Sequence, residues 1–262
     1  MSQDFYIILS VALAAGIASP VGGLIALWTK PSTLFMSGAL GFAGGVLLGT
    51  IAFEMMPKAL ELGSLALAIG GFVAGFAAIY AFDLFVHRGL LVGEKAEQYR
   101  QLGRHSRRAR ARGDEVLVVA GGTSAEELIE GLSIGVSLAI EPELGFLVAL
   151  TIVIDNLSEA LSIGEIIRSE KDGRGSAQTA RILGWTGLIG LSVLISSLAG
   201  WLFLRDMPQP VLGLLFGVGA GGMFYLTITD LVPKAEERQY QQAPGIAIGG
   251  GFICIFALST FL

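Results

Sequence analysis

The sequence has little charge, one cysteine and two histidines. Only 15% of its 262 residues are charged, against about 25% in soluble domains, whereas 53% are hydrophobic and the mean hydropathy is +0.70. The single cysteine, Cys254, excludes an internal disulfide and a multi-cysteine metal site. The histidines, His87 and His105, both lie in one long polar segment. These deficits exclude an ordinary soluble domain and favour a polytopic membrane protein.

Long apolar runs account for most of the chain. A transmembrane helix needs roughly 20 predominantly apolar residues. The first run spans 24 residues, longer than the apolar region of about 7 to 15 residues in a secretory signal, so we interpret it as a membrane span. We predict an all-α membrane protein with a single transmembrane domain over residues 1–262. Its eight spans are predicted at residues 5–28, 33–57, 62–86, 116–139, 144–167, 182–204, 209–232 and 244–262.

Positive charge is concentrated between the third and fourth spans. Eight of the 17 Lys and Arg residues lie between Arg88 and Arg112, and because positive loops stay inside, we predict that residues 87–115 form a basic cytoplasmic loop. This orientation puts both termini on the outer side of a plasma or inner membrane. It leaves only two positive residues outside, Lys58 and Arg205. The loop has Tyr99 as its only aromatic residue, so nucleic-acid binding is not favoured.

One ten-residue phrase occurs twice, as E-E-L-I-E-G-L-S-I-G at 126–135 and D-N-L-S-E-A-L-S-I-G at 155–164. An ionised carboxylate inside a bilayer costs at least roughly 2.5 to 3.5 kcal/mol unless it is paired, and neither run contains Lys, Arg or His. The first and fifth positions lie one helical turn apart on one face. Because carboxylate and amide oxygens suit divalent cations, the first, second and fifth positions are the predicted metal ligands: Glu126, Glu127, Glu130, Asp155, Asn156 and Glu159.

A second repeat relates the second and seventh spans. Residues 45–59 and 221–235 carry an acid, a proline, a lysine and an alanine at the same offsets. The acids, Glu54 and Asp230, lie near the predicted helix ends, where they could bind the cation or serve as caps. Since the predicted topology gives the repeats opposite orientations, we predict a 3+2+3 inverted-repeat transporter with its substrate site near mid-membrane.

Glycines recur every four residues in these same two spans, a spacing that allows close helix packing in membranes. They are Gly41, Gly45, Gly49, Gly213, Gly217 and Gly221.

Metal binding is one of several hypotheses that account for the buried acids. The acids could be protonated and hydrogen-bonded as interhelical glue to Ser133, Ser137, Ser158 and Ser162, or they could relay protons without a metal. The chain could also be a membrane scaffold or metal sensor that transports nothing. An intramembrane enzyme is disfavoured, because no His or Cys accompanies the acids as a base or nucleophile.

The repeated phrases, together with E-M-M-P-K-A-L-E at 54–61 and G-G-M-F-Y-L-T-I-T-D-L-V-P-K-A at 221–235, resemble the ZIP (Zrt/Irt-like protein) family of metal transporters. The resemblance covers nearly the whole chain. It implies uptake of zinc, iron or manganese as substrate, with no prosthetic group. It also implies a homodimer in lipid, with the metal bound between the fourth and fifth spans.

The chain departs from the family's usual H-N-x-P-E-G motif in these spans. The motif's glutamates match Glu130 and Glu159, and its asparagine matches Asn156. Glu126 and Asp155 stand where histidines are usual. Because oxygen-only ligand sets suit hard cations better than imidazole does, we expect a weaker preference for zinc and more tolerance of manganese or iron.

Overall fold

The computed structural model describes residues 3–29, 31–86, 114–169, 176–236 and 242–261. In these ranges the chain forms eight long helices, and in the first part of the fourth helix, through Glu126, only the backbone is described. Residues 87–113, most of the predicted cytoplasmic loop, lie outside these ranges. The helices are α1 (Gln3–Trp28), α2 (Thr33–Leu62), α3 (Leu65–Val86), α4 (Asp114–Ile140), α5 (Pro142–Ser169), α6 (Ser176–Leu204), α7 (Gln209–Glu236) and α8 (Ala243–Phe261).

These helices confirm the all-α membrane fold. Within the described ranges, seven of them are long and apolar enough to cross a membrane. The remaining helix, α4, is 27 residues long and occupies the place of the predicted fourth span. At about 1.5 Å per residue it extends roughly 40 Å, enough to cross the hydrocarbon core.

Three predicted boundaries were wrong by four residues or more: α6 begins at Ser176 instead of residue 182, and the ends of α2 and α7 were also misplaced. We expected α2 and α7 to end at residues 57 and 232, next to a proline, but they continue to Leu62 and Glu236. A proline inside a regular α-helix removes one hydrogen bond and clashes with the carbonyl four residues earlier. Both helices avoid this conflict by changing their geometry just before the proline.

Each of these helices contains one π-helical turn, at Ile51–Met55 in α2 and at Thr227–Leu231 in α7. The Met56 N–H donates to the Ile51 carbonyl and the Val232 N–H to the Thr227 carbonyl, so each bond spans five residues instead of four. The proline then falls in the first turn of a new α-helical segment, where its missing N–H is not needed. Because the two turns occupy equivalent positions, the structure repeats a local feature that the sequence repeat did not reveal.

The helices pack as two bundles. The first contains α1, α4, α5 and α6, in which α4 packs on α6 and α1 packs on both α5 and α6. The second contains α2, α3, α7 and α8, in which α3 packs on α7 and α8 on α2. Exchanging α1 with α6, α2 with α7, α3 with α8 and α4 with α5 reproduces the same set of contacts, as the predicted inverted repeat requires. The bundles meet where α2 packs on α5 and where α7 packs on α4.

Glycines allow helices of the second bundle to pack closely. A Cβ added to Gly45 of α2 would lie 2.0 Å from the Ile248 carbonyl oxygen of α8, and one added to Gly221 of α7 would lie 1.9 Å from the Phe72 oxygen of α3. These two glycines are equivalent in the repeat. Their predicted role in close helix packing is confirmed, since a side chain at either position would separate the helices.

Candidate metal site

The predicted ligands on α4 and α5 are buried inside the protein. Glu127, Glu130, Asp155, Asn156 and Glu159 are between 0% and 6% exposed. Neighbouring leucines on α4 point outward instead, with Leu128 45% and Leu132 38% exposed. The polar residues therefore face other helices, and the leucines are left to face lipid.

Asn156 is the most deeply buried of these residues. Its side chain is fully buried, and neither its amide oxygen nor its amide nitrogen forms a hydrogen bond with any described residue. A buried amide that lacks a hydrogen bond costs about 1 to 3 kcal/mol. The Asn156 oxygen is thus an available neutral ligand within the membrane.

The polar face of α5 looks toward the second bundle. Thr151, Asp155 and Glu159 are spaced four residues apart and share this face. The Thr151 hydroxyl lies 2.8 Å from the Thr50 hydroxyl of α2, and both residues are buried. The acids of α5 therefore border the interface between the bundles.

The acids of α4 lie on two adjacent faces. Gly131 and Gly135 pack against α6, and Glu127 shares their face, with its carbonyl accepting a hydrogen bond of 3.2 Å from the Ser196 hydroxyl. Glu130 shares its face with Ser133, whose hydroxyl would lie 2.9 Å from a Cβ added to Gly219 of α7. Glu130 is therefore on the side of α4 that borders the second bundle.

Four helices form a closed ring around this interface: α2 packs on α5, α5 on α4, α4 on α7 and α7 on α2. Only Glu141 separates α4 from α5. Glu130 lies 11 residues before it and Asp155 lies 14 residues after it (141 − 130 and 155 − 141), so along two antiparallel helices they lie about 17 and 21 Å from the turn. The ring thus carries acids of both repeats at comparable depth.

Glu54 and Asp230 lie in the π-helical turns of α2 and α7, not at helix ends as predicted. Both side chains are half-buried. Lys234 pairs with Asp230 four residues earlier, and both lie close enough to Glu159 for their charges to act on its carboxyl group. The charges of Asp230 and Lys234 on α7 therefore reach Glu159 on α5.

Some predicted ligands are not gathered together. Among the described side chains, no group of three or more Asp, Glu, His or Cys residues is close enough to form a metal cluster. The side chain of Glu126, the first acid of the repeated phrase, lies outside the described residues. Glu130, Asp155 and Glu159 border the ring, whereas Glu127 is on the face of α4 that packs against α6.

The serines beside the acids use their O–H groups elsewhere. Ser133 donates to the Ile129 carbonyl at 2.9 Å, Ser137 to the Ser133 carbonyl at 2.6 Å, and Ser158 to the Ile154 carbonyl at 3.0 Å. A hydroxyl has a single O–H to donate. Donation by these three serines to the acids is therefore not favoured, but their hydroxyl oxygens can still accept a hydrogen bond from a protonated carboxyl group, as the glue hypothesis proposes.

Sequence reasoning missed several polar residues that border the ring. Lys58 and Lys234 were used as charges that indicate orientation and as matching positions of the repeat, but not as residues of the site. Glu141 and the Thr50–Thr151 contact were not predicted. The equivalence of the two lysines in the 45–59 and 221–235 repeat was the available signal. Nothing in the sequence indicated the partners that each would bind.

Comparisons with known proteins agree with this architecture. The family model described as "ZIP Zinc transporter" matches residues 93–259. The chain is 31% identical to a zinc transporter ZupT of Corynebacterium efficiens, over 97% of this chain and 96% of that protein. It is 28% identical to a zinc transporter ZupT of an Enterobacter species, over 97% and 96% of the two chains.

A zinc transporter ZupT of Escherichia coli is 27% identical over 92% of this chain and 91% of that protein. The match to the family model and the 31% identity along nearly the full length agree with the buried acids and the eight helices of the fold. The chain is an integral membrane protein that belongs to the ZIP family of metal transporters.

Proposed function

We propose that this protein moves a divalent metal cation toward the cytoplasm through the ring of α2, α4, α5 and α7. The observation that carries the proposal is the inward burial of Glu130, Asp155 and Glu159 in helices that cross the membrane. Carboxylates in that position need a compensating charge. A divalent cation supplies that charge and binds oxygen ligands.

The proposed ligands come from both helices of the central pair. Glu130 and Glu159 occupy the matching positions of the repeated phrase, and Asn156 offers a buried amide oxygen. Asp155 stands on the polar face of α5. The remaining proposed ligands are Glu126 and Glu127 on α4, with Glu54 and Asp230 flanking the path from the π-helical turns.

Metal uptake by purified protein in proteoliposomes tests this proposal. Glu130→Ala and Glu159→Ala are each expected to reduce zinc or manganese uptake at least about tenfold, since losing even an outer partner of a metal ligand costs 10- to 100-fold. Glu143→Ala is the matched control, because this acid lies on α5 but is exposed near the α4–α5 turn. Full uptake by folded Glu130→Ala and Glu159→Ala proteins would overturn the site.

The choice of metal follows from the ligand chemistry. All the proposed ligands offer oxygen, which favours hard cations, whereas imidazole favours zinc and later transition metals. We expect zinc, manganese and iron to compete for uptake at similar concentrations. Strong exclusion of manganese by zinc would refute the chemical argument and leave the family assignment intact. Absence of uptake for every divalent cation would favour a scaffold or sensor.

A further inference from the structure

One ion pair joins the two bundles at the α4–α5 turn. The Lys58 Nζ lies 2.8 Å from the Glu141 Oε2 and 3.1 Å from the Glu61 Oε2. Lys58 belongs to α2 in the second bundle, whereas Glu141 is the single residue between α4 and α5 in the first. We propose that Lys58 is a positioning residue for transport: its ion pair with Glu141 closes this end of the ring, and opening this end requires the pair to break.

The surroundings of Lys58 suit this role. Its side chain is only 16% exposed, while those of Glu141 and Glu61 are 48% and 68% exposed. A partly buried pair is screened less by salt than an exposed one. Glu54 lies one helical turn before Lys58, and the charges of Lys58 and Glu141 both act on the Glu54 carboxyl group. The pair therefore stands beside the acid of the π-helical turn in α2.

The repeat shows that this lysine position has two possible partners. Lys234 is equivalent to Lys58, and it pairs with Asp230, four residues earlier on its own helix. Asp230 is equivalent to Glu54. Lys58 instead reaches across to Glu141, although Glu54 stands at the same distance along the chain. If the Lys58 ammonium leaves Glu141 and pairs with Glu54, it keeps a carboxylate partner throughout. The exchange therefore avoids the penalty of a buried, unpaired charge.

Opening at this end would expose a specific face of α5. Leu147 is 3% exposed and lies one turn before Thr151, whose hydroxyl meets Thr50 of α2. By helical periodicity it shares the face that borders α2. It is also only six residues from Glu141 (147 − 141). A cysteine at position 147 therefore reports separation of the two bundles near the ion pair.

The experiment uses the full chain carrying Cys254→Ser and Leu147→Cys, purified in detergent without metal. The rate of reaction with a water-soluble maleimide measures exposure of position 147. Lys58→Met keeps the length of the side chain and removes its charge, and it is expected to raise the rate about 2- to 5-fold, as for a partly exposed ion pair. Glu141→Gln should give the same increase, and Lys58→Arg should retain the parent rate. Glu61→Gln is the control and should leave the rate unchanged, because Glu61 lies on the same helix as Lys58 and their ion pair does not join the two bundles.

The double variant Lys58→Met/Glu141→Gln should react no faster than either single variant, because both remove the same pair. The charge swap Lys58→Glu/Glu141→Lys should bring the rate back toward the parent value. Unchanged rates in both single variants, or multiplied effects in the double variant, would overturn the proposal. Each variant is first checked for a single gel-filtration peak, which shows that it is folded. If Lys58→Met fails this check, the rates of Glu141→Gln and of the charge swap test the proposal. Since no metal is transported in this assay, its outcome is independent of the proposed metal site.

Discussion

Replacing Gly45 by alanine is expected to weaken the packing of α2 on α8. An added Cβ would lie 2.0 Å from the Ile248 carbonyl oxygen, whereas real Cβ atoms essentially never come within 3.0 Å of an atom in a neighbouring helix. The contacting atom is backbone, so it cannot move aside as a side chain would. The two helices must therefore separate by about 1 Å (3.0 − 2.0), which removes close contacts along the interface.

Overpacking of this kind typically costs about 1 to 3 kcal/mol. For a chain of this size, a loss of about 2 kcal/mol corresponds to a fall of roughly 4 to 8 °C in the melting temperature. Alanine also favours a helix over glycine by up to about 1 kcal/mol. The higher helix propensity of alanine opposes the cost of overpacking. The measurement therefore needs a control glycine at which alanine raises the helix propensity without overpacking.

Gly38 provides that control. It lies in α2, seven residues before Gly45, and a Cβ added there meets nothing within 4 Å. The measurement is the loss of the monodisperse gel-filtration peak after heating, for the parent protein, Gly38→Ala and Gly45→Ala. Gly45→Ala should melt several degrees below Gly38→Ala. Equal melting temperatures for the two variants would refute the inference that a glycine is required at the α2–α8 contact.

Two further predictions concern the interface between the bundles and the choice of metal. Thr50→Val and Thr151→Val should each cost roughly 0.6 kcal/mol, a typical value for an interhelical hydrogen bond in a membrane. Because both residues serve the same 2.8 Å contact, the double variant should be no less stable than the more affected single variant in a denaturant titration, and additive losses would contradict this. Asp155→His restores an imidazole to the polar face of α5 and should raise the ratio of zinc to manganese uptake. An unchanged ratio in folded protein would argue against Asp155 as a ligand.

Much of the fold could be predicted from the sequence because a bilayer imposes a simple rule on length and polarity. Most ends of the eight spans were predicted to within three residues. The burial of Glu130 and Glu159 agrees with the cost of charge in lipid. The rule fails at Pro57 and Pro233. There, the predicted spans ended at residues 57 and 232, but a hydrogen bond that spans five residues in the preceding turn allows each helix to continue past its proline.

The site was less predictable than the fold. A shared helix face can be deduced from spacing, so Asp155 and Glu159 could be assigned to one side of α5. Spacing does not show which neighbouring helix that side meets. The effect of the Asp230 and Lys234 charges on Glu159, and the ion pair of Lys58 with Glu141, depend on how the two bundles pack against each other. Sequence periodicity contains no information about that packing.

The one-residue connection between α4 and α5 has a mechanical consequence. Two helices tied by a single residue, Glu141, cannot slide far along each other, so a displacement of one carries the other by nearly the same amount. The carboxylates on this hairpin would keep their mutual spacing while their distances to α2 and α7 change. An ion held at the proposed site would then move with the acids of the hairpin, and only its distances to Glu54 and Asp230 in the π-helical turns would change.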